Sequence, residues 1–274
     1  MSERVLAVVV PAFNEEATIA TILRQVDELP MVREIIVVDD CSTDGTAAAV
    51  ERLASERIRL IRQPRNAGKT AAVRRGLREV SSPITIIQDA DLEYDPAEIP
   101  HVIAPILEGK ADVVYGSRFL VRRAARVLYF YHYLANKFLT FLSNLLTNRN
   151  MTDIETCYKA FRTPLIQKMQ LTSSGFGMEV EITAMVSKTR ARTYETPISY
   201  YGRTYEEGKK ISWKDGAHAI WYILYYNLAA PFSAERRRYI AEINAWLAAN
   251  PGKAEAARRT DQRGAAPPSV SCTG

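Results

Sequence analysis

Five short runs rich in β-branched residues, at 5–10, 34–38, 57–61, 84–88 and 112–115, alternate with four stretches of helical periodicity, at 15–28, 45–56, 69–80 and 97–107. That order predicts an α/β fold in which a mostly parallel sheet carries helices on both faces. With 274 residues, 47% hydrophobic and 24% charged, the chain is long enough for one such domain and an appendage, and wholesale disorder or collagen-like repetition is excluded. Asp44-Gly-Thr and Asp95-Pro96 read as helix starts, the second with proline at the first helical position. Ligands of such sheets bind outside the carboxyl ends of the strands. The segments to inspect are therefore 11–16, 39–44, 89–95 and 116–118.

The most informative of these is Gln88-Asp-Ala-Asp-Leu-Glu-Tyr-Asp95. In an extended chain residues two apart share a face, so Asp89, Asp91 and Glu93 would converge on one point. Converging carboxylates repel unless a cation neutralises them, and all-oxygen ligation suits Mg²⁺ or Mn²⁺ that also grips phosphate oxygens. The plainer reading is a set of solvated turn carboxylates, and Asp95 is assigned to it as a cap.

The chain carries 36 Lys and Arg against 31 Asp and Glu, a formal charge of +5, which favours an anionic partner without naming one. Three cysteines, Cys41, Cys157 and Cys272, fit neither a disulfide framework nor a zinc site, which points to a reducing cytosol. No secretory leader is read at the N-terminus. Segments 127–146 and 217–232 are apolar but interrupted by His132, Asn136, Lys137, Asn144, His218 and Asn227, so no membrane span is expected. In the first of them Leu128, Tyr131, Leu134, Phe138, Phe141 and Leu145 recur at helical spacing and must cover something apolar, either core or lipid. Residues 251–274, nearly without large apolar side chains, read as a disordered tail.

Other loops add to the carboxylates. Pro11-Ala-Phe-Asn-Glu-Glu16 leaves the first strand, Val37-Val-Asp-Asp-Cys-Ser-Thr-Asp-Gly45 leaves the second, and Asn66-Ala-Gly-Lys69 precedes a helix. Taken in order with QDAD, they resemble the nucleotide-sugar half of family 2 glycosyltransferases with the GT-A fold, over about residues 5–120. Gly116-Ser-Arg118, Thr152-Asp-Ile-Glu-Thr-Cys-Tyr-Lys159, Gly175-Phe-Gly-Met-Glu-Val-Glu181 and Arg203-Thr-Tyr-Glu-Glu-Gly-Lys-Lys210 extend the likeness to about residue 215. There the chain is similar to the dolichol-phosphate mannosyltransferase and polyprenyl-phosphate glycosyltransferase branch.

The resemblance implies transfer of a sugar from a nucleotide diphosphate, GDP-mannose or a UDP-hexose, to a polyprenyl phosphate. It implies that Pro11, Phe13, Glu15, Val38 and Asp40 hold the nucleoside. Lys69, Asp89, Ala90 and Asp91 would meet the pyrophosphate, Asp89, Asp91 and Glu93 the metal, and Arg203 and Lys209 would close over the donor phosphates. The family often has Tyr at Phe13 and Gln at Glu93, and His132 and Asn136 stand where it has a second Arg and a Ser.

A phosphate acceptor is ionised at neutral pH and needs no general base, which suits a chain with three histidines, His101, His132 and His218. Arg118, with His132, Asn136 and Lys137, would position it, and direct displacement would invert the anomeric centre. The candidate catalytic residues are Asp91, Arg118 and Asp153. Asp153 would be the base if the acceptor were instead a sugar or lipid hydroxyl; the plainer reading of Asp153 and Glu155 is as helix caps. Glu179 and Glu181 read either as donor contacts or as partners of basic neighbours.

Gly68-Lys69-Thr70 resembles the end of a phosphate loop, but Gln63 stands where its first glycine should be. A nucleic-acid partner is not expected, because the carboxylates gather at strand ends and no continuous basic stripe runs along the chain. A non-catalytic scaffold with this fold would bind no metal-dependent nucleotide sugar. The expected organisation is a catalytic unit over 1–215, divided at 120 into donor and acceptor halves, then amphipathic helices over 216–250 and the tail. Peripheral attachment to an anionic membrane surface at its cytoplasmic face follows from the basic charge and the apolar stripe. Oligomeric state stays open.

Overall fold

The computed structural model describes residues 4–120, 126–127, 129–175, 177–202 and 213–252. Seven strands form one sheet in the order β3-β2-β1-β4-β6-β5-β7. They are β1 (Leu6–Ala12), β2 (Val32–Asp39), β3 (Ile58–Arg62), β4 (Ile84–Ile87), β5 (Val113–Ser117), β6 (Lys159–Arg162) and β7 (Thr193–Pro197). Six run parallel; β6 runs antiparallel between β4 and β5. The mostly parallel α/β architecture read from the sequence is therefore present.

Period-two alternation sends neighbouring residues of the central strands into two separate cores. Leu6, Val8, Val10, Ile35, Val37 and Ile86 pack with α1 (Ile19–Asp27), α2 (Thr46–Glu51) and α4 (Ile99–Leu107). Val9, Ile36, Val38 and Ile87 pack on the other face. That face is covered by α3 (Lys69–Leu77), α5 (Phe130–Thr147), α6 (Thr163–Lys168), α7 (Gly177–Ser187), α8 (Trp213–Leu224) and α9 (Ala234–Ala249). The last two belong to the same core as the sheet, through Ile223, Tyr239 and Ile243. Buried Arg236 of α9 ties them in, 3.0 Å from Glu181 of α7 and 4.8 Å above the Tyr226 ring.

Several boundaries differ from the sequence reading. Strand β1 continues to Ala12 and β5 to Ser117, because the neighbouring strands pair with them that far: Ala12 opposite Asp39, Ser117 opposite Pro197. Helix α1 starts at Ile19, since residues 15–18 form a turn closed by the Thr18 and Ile19 amides on the Glu15 carbonyl. Helix α2 ends at Glu51, short of Ala54, which takes φ 47°. Strands β6 and β7 were outside the reading altogether. At the N-terminus of α3, Gly68 takes φ +87°, and a side chain on Gly76 would stand 2.6 Å from Val9 Cγ1. This close seating of α3 on the sheet brings Lys69 to the strand ends.

Candidate functional site

The C-terminal ends of β1, β2, β4 and β5 and the start of antiparallel β6 lie along one edge. The first two loops are woven together. Asn14 (φ 55°) donates from its amide to Ser42 Oγ at 2.9 Å and accepts from the Thr43 amide at 2.8 Å. Glu16 accepts from the Gly45 amide at 2.9 Å, and Asp44 accepts from the Thr46 amide at 3.0 Å from one residue before the N-cap of α2, which is Gly45. Pro11 is buried in β1, Phe13 presents a ring 41% exposed to solvent, and Glu15 accepts from the Thr18 hydroxyl at 3.0 Å. Asp40 is buried, and its carboxylate accepts from the amides of Ala67 (2.9 Å) and Gly68 (2.7 Å) and from Gln63. It thereby shapes the loop that delivers Lys69. Val38 and Ala90 point their side chains into the two cores, so only their backbones face the crevice.

The three carboxylates do not converge as alternation predicts. Strand β4 ends at Ile87, so the chain from Asp89 onward bends and the two-residue rule no longer applies. Asp89 turns inward to Lys69 Nζ at 2.7 Å, while Glu93 accepts from the Tyr200 hydroxyl at 2.8 Å. Asp91 Oδ1 accepts from the Glu93 amide at 3.1 Å. Among the described residues no three His, Cys, Asp or Glu side chains gather as a metal cage. Mg²⁺ and Mn²⁺ sites that serve phosphate chemistry need only one or two carboxylates, the rest being substrate oxygens and water. The partly exposed Asp91 and Glu93 fit such a cation.

Lys69 also lies 3.4 Å from Glu179 Oε1 and 2.9 Å from Cys157 Sγ. Burial alone would lower its pKa, but the charges of Asp89, Cys157 and Glu179 drive it well above the ordinary lysine value. Lys69 therefore stays cationic beside the 89–93 loop.

On the other side of the crevice Arg118 grips Asp153 through Nε (2.7 Å), Nη2 (2.8 Å) and its own amide (3.1 Å). Asp153 is fully buried, and although burial would raise its pKa, Arg118 holds the carboxyl below its ordinary range. Nη2 also donates to Asn136 Oδ1 at 3.3 Å, and the guanidinium lies 5.1 Å above the Tyr200 ring. Lys137, one residue along α5, packs 4.5 Å above the Phe119 ring and reaches the Thr152 carbonyl at 3.5 Å. His132 enters through its backbone carbonyl, which accepts from Asn136 one turn along α5, and its ring lies 5.9 Å from that of Tyr129. The structure thus brings Arg118, Asn136 and Lys137 together. Asp153 and Glu155 cap no helix, since residues 148–158 are irregular. Arg203 and Lys209 lie outside the described residues.

Between the two sides lie three tyrosines: Tyr94 stacks on Tyr158, with ring centroids 5.0 Å apart, and meets the tilted Tyr200 ring at 5.3 Å. Tyr158 also donates to Gln88 and to the Asp95 carbonyl. Buried Lys159 follows it, held by the carbonyls of Ile154 and Thr156. Sequence reasoning gave these residues no role, although Tyr158 and Lys159 close the TDIETCYK run. Glu181 pairs with Arg236, the plainer of its two readings.

Burial, with the Glu179 charge beside it, pushes the Glu155 carboxyl up to about 7 from an ordinary 4.5. The folded chain then binds more protons than the unfolded chain between those values, so stability falls as pH rises from about 4.5 to about 7. In thermal melts across this range, Glu155→Gln is expected to flatten the decline; wild-type and variant curves that stay parallel would contradict the assignment.

The sequence profile of Glycosyl transferase family 2 matches residues 7–169, more than half of the chain. The chain belongs to that family. Among the relatives of this family 2 chain is a dolichol-phosphate mannosyltransferase of Pyrococcus furiosus, 27% identical over 74% of the chain and 58% of the relative. Another is an undecaprenyl-phosphate 4-deoxy-4-formamido-L-arabinose transferase of Proteus mirabilis, 28% identical over 74% of the chain and 62% of the relative. The chain thus spans about three-fifths of the length of these relatives, and both carry a polyprenyl phosphate in their names. Among solved structures, glucosyl-3-phosphoglycerate synthase from Mycobacterium tuberculosis, in complex with Mn²⁺ and UDP-glucose, superposes with a TM-score of 0.64. That match has 22% identity over 82% of this chain and 79% of the other, and it bears on the fold, the GT-A arrangement.

Proposed function

We propose that this family 2 chain transfers a sugar from a nucleotide-diphosphate donor, GDP-mannose or a UDP-hexose, to a polyprenyl phosphate, with inversion and at a membrane surface. The observation that carries the reading is the pairing of two opposed walls: the 89–93 carboxylate loop with Lys69, and a cationic group built on Arg118. The donor pyrophosphate lies against the first wall. Asp91 and Glu93 would hold a divalent cation, whose positive charge would stabilise the departing phosphates. Lys69 adds a fixed cation there, and Phe13 offers an exposed ring to the base. Arg118, Asn136 and Lys137 hold the acceptor phosphate on the opposite side, where it attacks as the anion it already is. The hydroxyl-acceptor reading needs Asp153 as base, yet its carboxylate is fully buried and taken up by Arg118.

The outer face of α5 supports the lipid half of the reading. Phe130, Tyr131, Leu134, Phe138, Phe141 and Leu145 are exposed along it; Trp221 and Leu224 of the adjoining α8, and Tyr225 and Leu228 of the π-helical turn after it, are exposed as well. No helix among the described residues is long and apolar enough to cross a membrane. An exposed apolar ridge next to a phosphate site is the form expected of a surface that meets lipid and draws a headgroup from it. The protein is expected to float with anionic vesicles at low salt and to lose this with Tyr131→Asp and Phe138→Asp together. Retention in the aqueous fraction at low salt would contradict the membrane surface.

A further inference from the structure

Two carboxylate oxygens, Glu155 Oε1 and Glu179 Oε2, are shielded from solvent and accept no hydrogen bond among the described residues. Glu179 of α7 is 3% exposed and spends its other oxygen on Lys69, the lysine it shares with Asp89. Glu155 stands two residues from Asp153, the partner of Arg118. The ordinary solution for a buried carboxylate is visible one half-turn away in α7. There Glu181 accepts from the Thr172 amide and hydroxyl, the Ser173 amide and Arg236. Folded proteins leave few buried acceptors unsatisfied, because each lost hydration without recovering a bond. Two of them, on side chains close enough for their charges to act on each other, ask for a donor that comes with a ligand.

We propose that Glu155 and Glu179 form the subsite that recognises the hydroxyls of the transferred sugar. The inference rests on the donor reading above and adds the sugar contacts that reading lacks. Glu179 is linked through Lys69 to Asp89 on the donor wall, and Glu155 sits on the loop that carries the Arg118 partner on the acceptor wall. The anomeric carbon must pass between those walls, so the two carboxylates flank the ring that carries it. Sugar hydroxyls donate hydrogen bonds, which is what two bare acceptors require, and a vicinal pair can serve both. Glu179, joined by Glu155 where the latter is ionised, repels a sugar that bears its own carboxylate. The subsite therefore selects neutral hexoses over hexuronic acids.

The test compares wild type, Glu179→Gln and Glu155→Gln, each checked for an intact melt. Each protein is titrated, with Mn²⁺, with GDP, UDP, GDP-mannose, UDP-glucose and monodeoxy forms of whichever donor binds. The nucleoside diphosphate alone is expected to bind all three proteins within about twofold. The intact donor should bind each variant about tenfold or more weakly. One monodeoxy donor should lose a similar factor on wild type and nothing further on the matching variant, since a hydroxyl and its acceptor make one interaction. Losses that simply multiply, or sugar selectivity unchanged in both variants, overturn the subsite, leaving the carboxylates to water or to a shared proton. A wild-type protein that binds neither GDP nor UDP overturns the donor reading and the subsite together.

Discussion

Asp91→Ala is expected to lower metal-dependent sugar transfer by about 10³-fold, equivalent to about 4 kcal/mol of transition-state stabilisation, while the fold stays intact. The two effects separate because of where Asp91 sits. It lies partly exposed on an irregular loop after β4, and its Oδ1 accepts from the Glu93 amide two residues on. Truncating such a side chain opens no cavity in either core, so the melting temperature should move by no more than a few degrees. Its neighbours behave differently. Asp89 is committed to Lys69 and Glu93 to Tyr200, so their substitution disturbs packing as well as any cation. Titration with nucleotide, with and without Mn²⁺, gives the accompanying readout: the variant should lose the Mn²⁺-dependent gain in affinity and keep the rest. Normal Mn²⁺-dependent turnover in Asp91→Ala would remove the assignment of this loop to the metal.

Arg118 should respond to substitution in two ways, depending on what replaces it. Arg118→Lys keeps the charge but loses the fork that meets Asp153 through two nitrogens. It is expected to raise KM for the acceptor by about 10- to 100-fold with little change in affinity for the donor, because the donor wall is built from other loops. Arg118→Ala leaves Asp153 as a fully buried, unpaired carboxylate and should cost about 3–5 kcal/mol of stability. The Asp153 pKa is held below its ordinary value of 3.8, so its share of that stability is present at neutral pH and fades as pH falls below that value. If Arg118 served only to pair Asp153, Arg118→Lys would lower the melting temperature and leave acceptor KM unchanged.

The donor half of the fold was legible because parallel strands buried on both faces leave a plain signature: short β-branched runs separated by helices of regular period. Strands β6 and β7 left weaker marks. Lys159–Arg162 is four residues long and carries a cation at each end, and Thr193–Pro197 mixes polar residues with a proline. Their place in the sheet is set by pairing partners far away in the chain. The motifs located Asp89, Asp91, Arg118 and Asp153 at the crevice, but side-chain direction was beyond them. Alternation pointed Asp89 toward Asp91, and a half-buried lysine from α3 turned it inward. The tyrosine contacts join segments 60 or more residues apart, and the bare oxygens of Glu155 and Glu179 belong to an irregular loop and to α7; one sequence has no periodic signal for either.

The most direct measurement is transfer of labelled sugar from a panel of UDP- and GDP-sugars, with Mn²⁺, into an organic phase containing a polyprenyl phosphate. Label from one donor is expected to enter that phase, to depend on the divalent cation, and to be released by mild acid as expected of a glycosyl phosphate. Tight, metal-dependent nucleotide binding with no label in the lipid, and label appearing instead on a sugar or lipid hydroxyl, would contradict the phosphate acceptor.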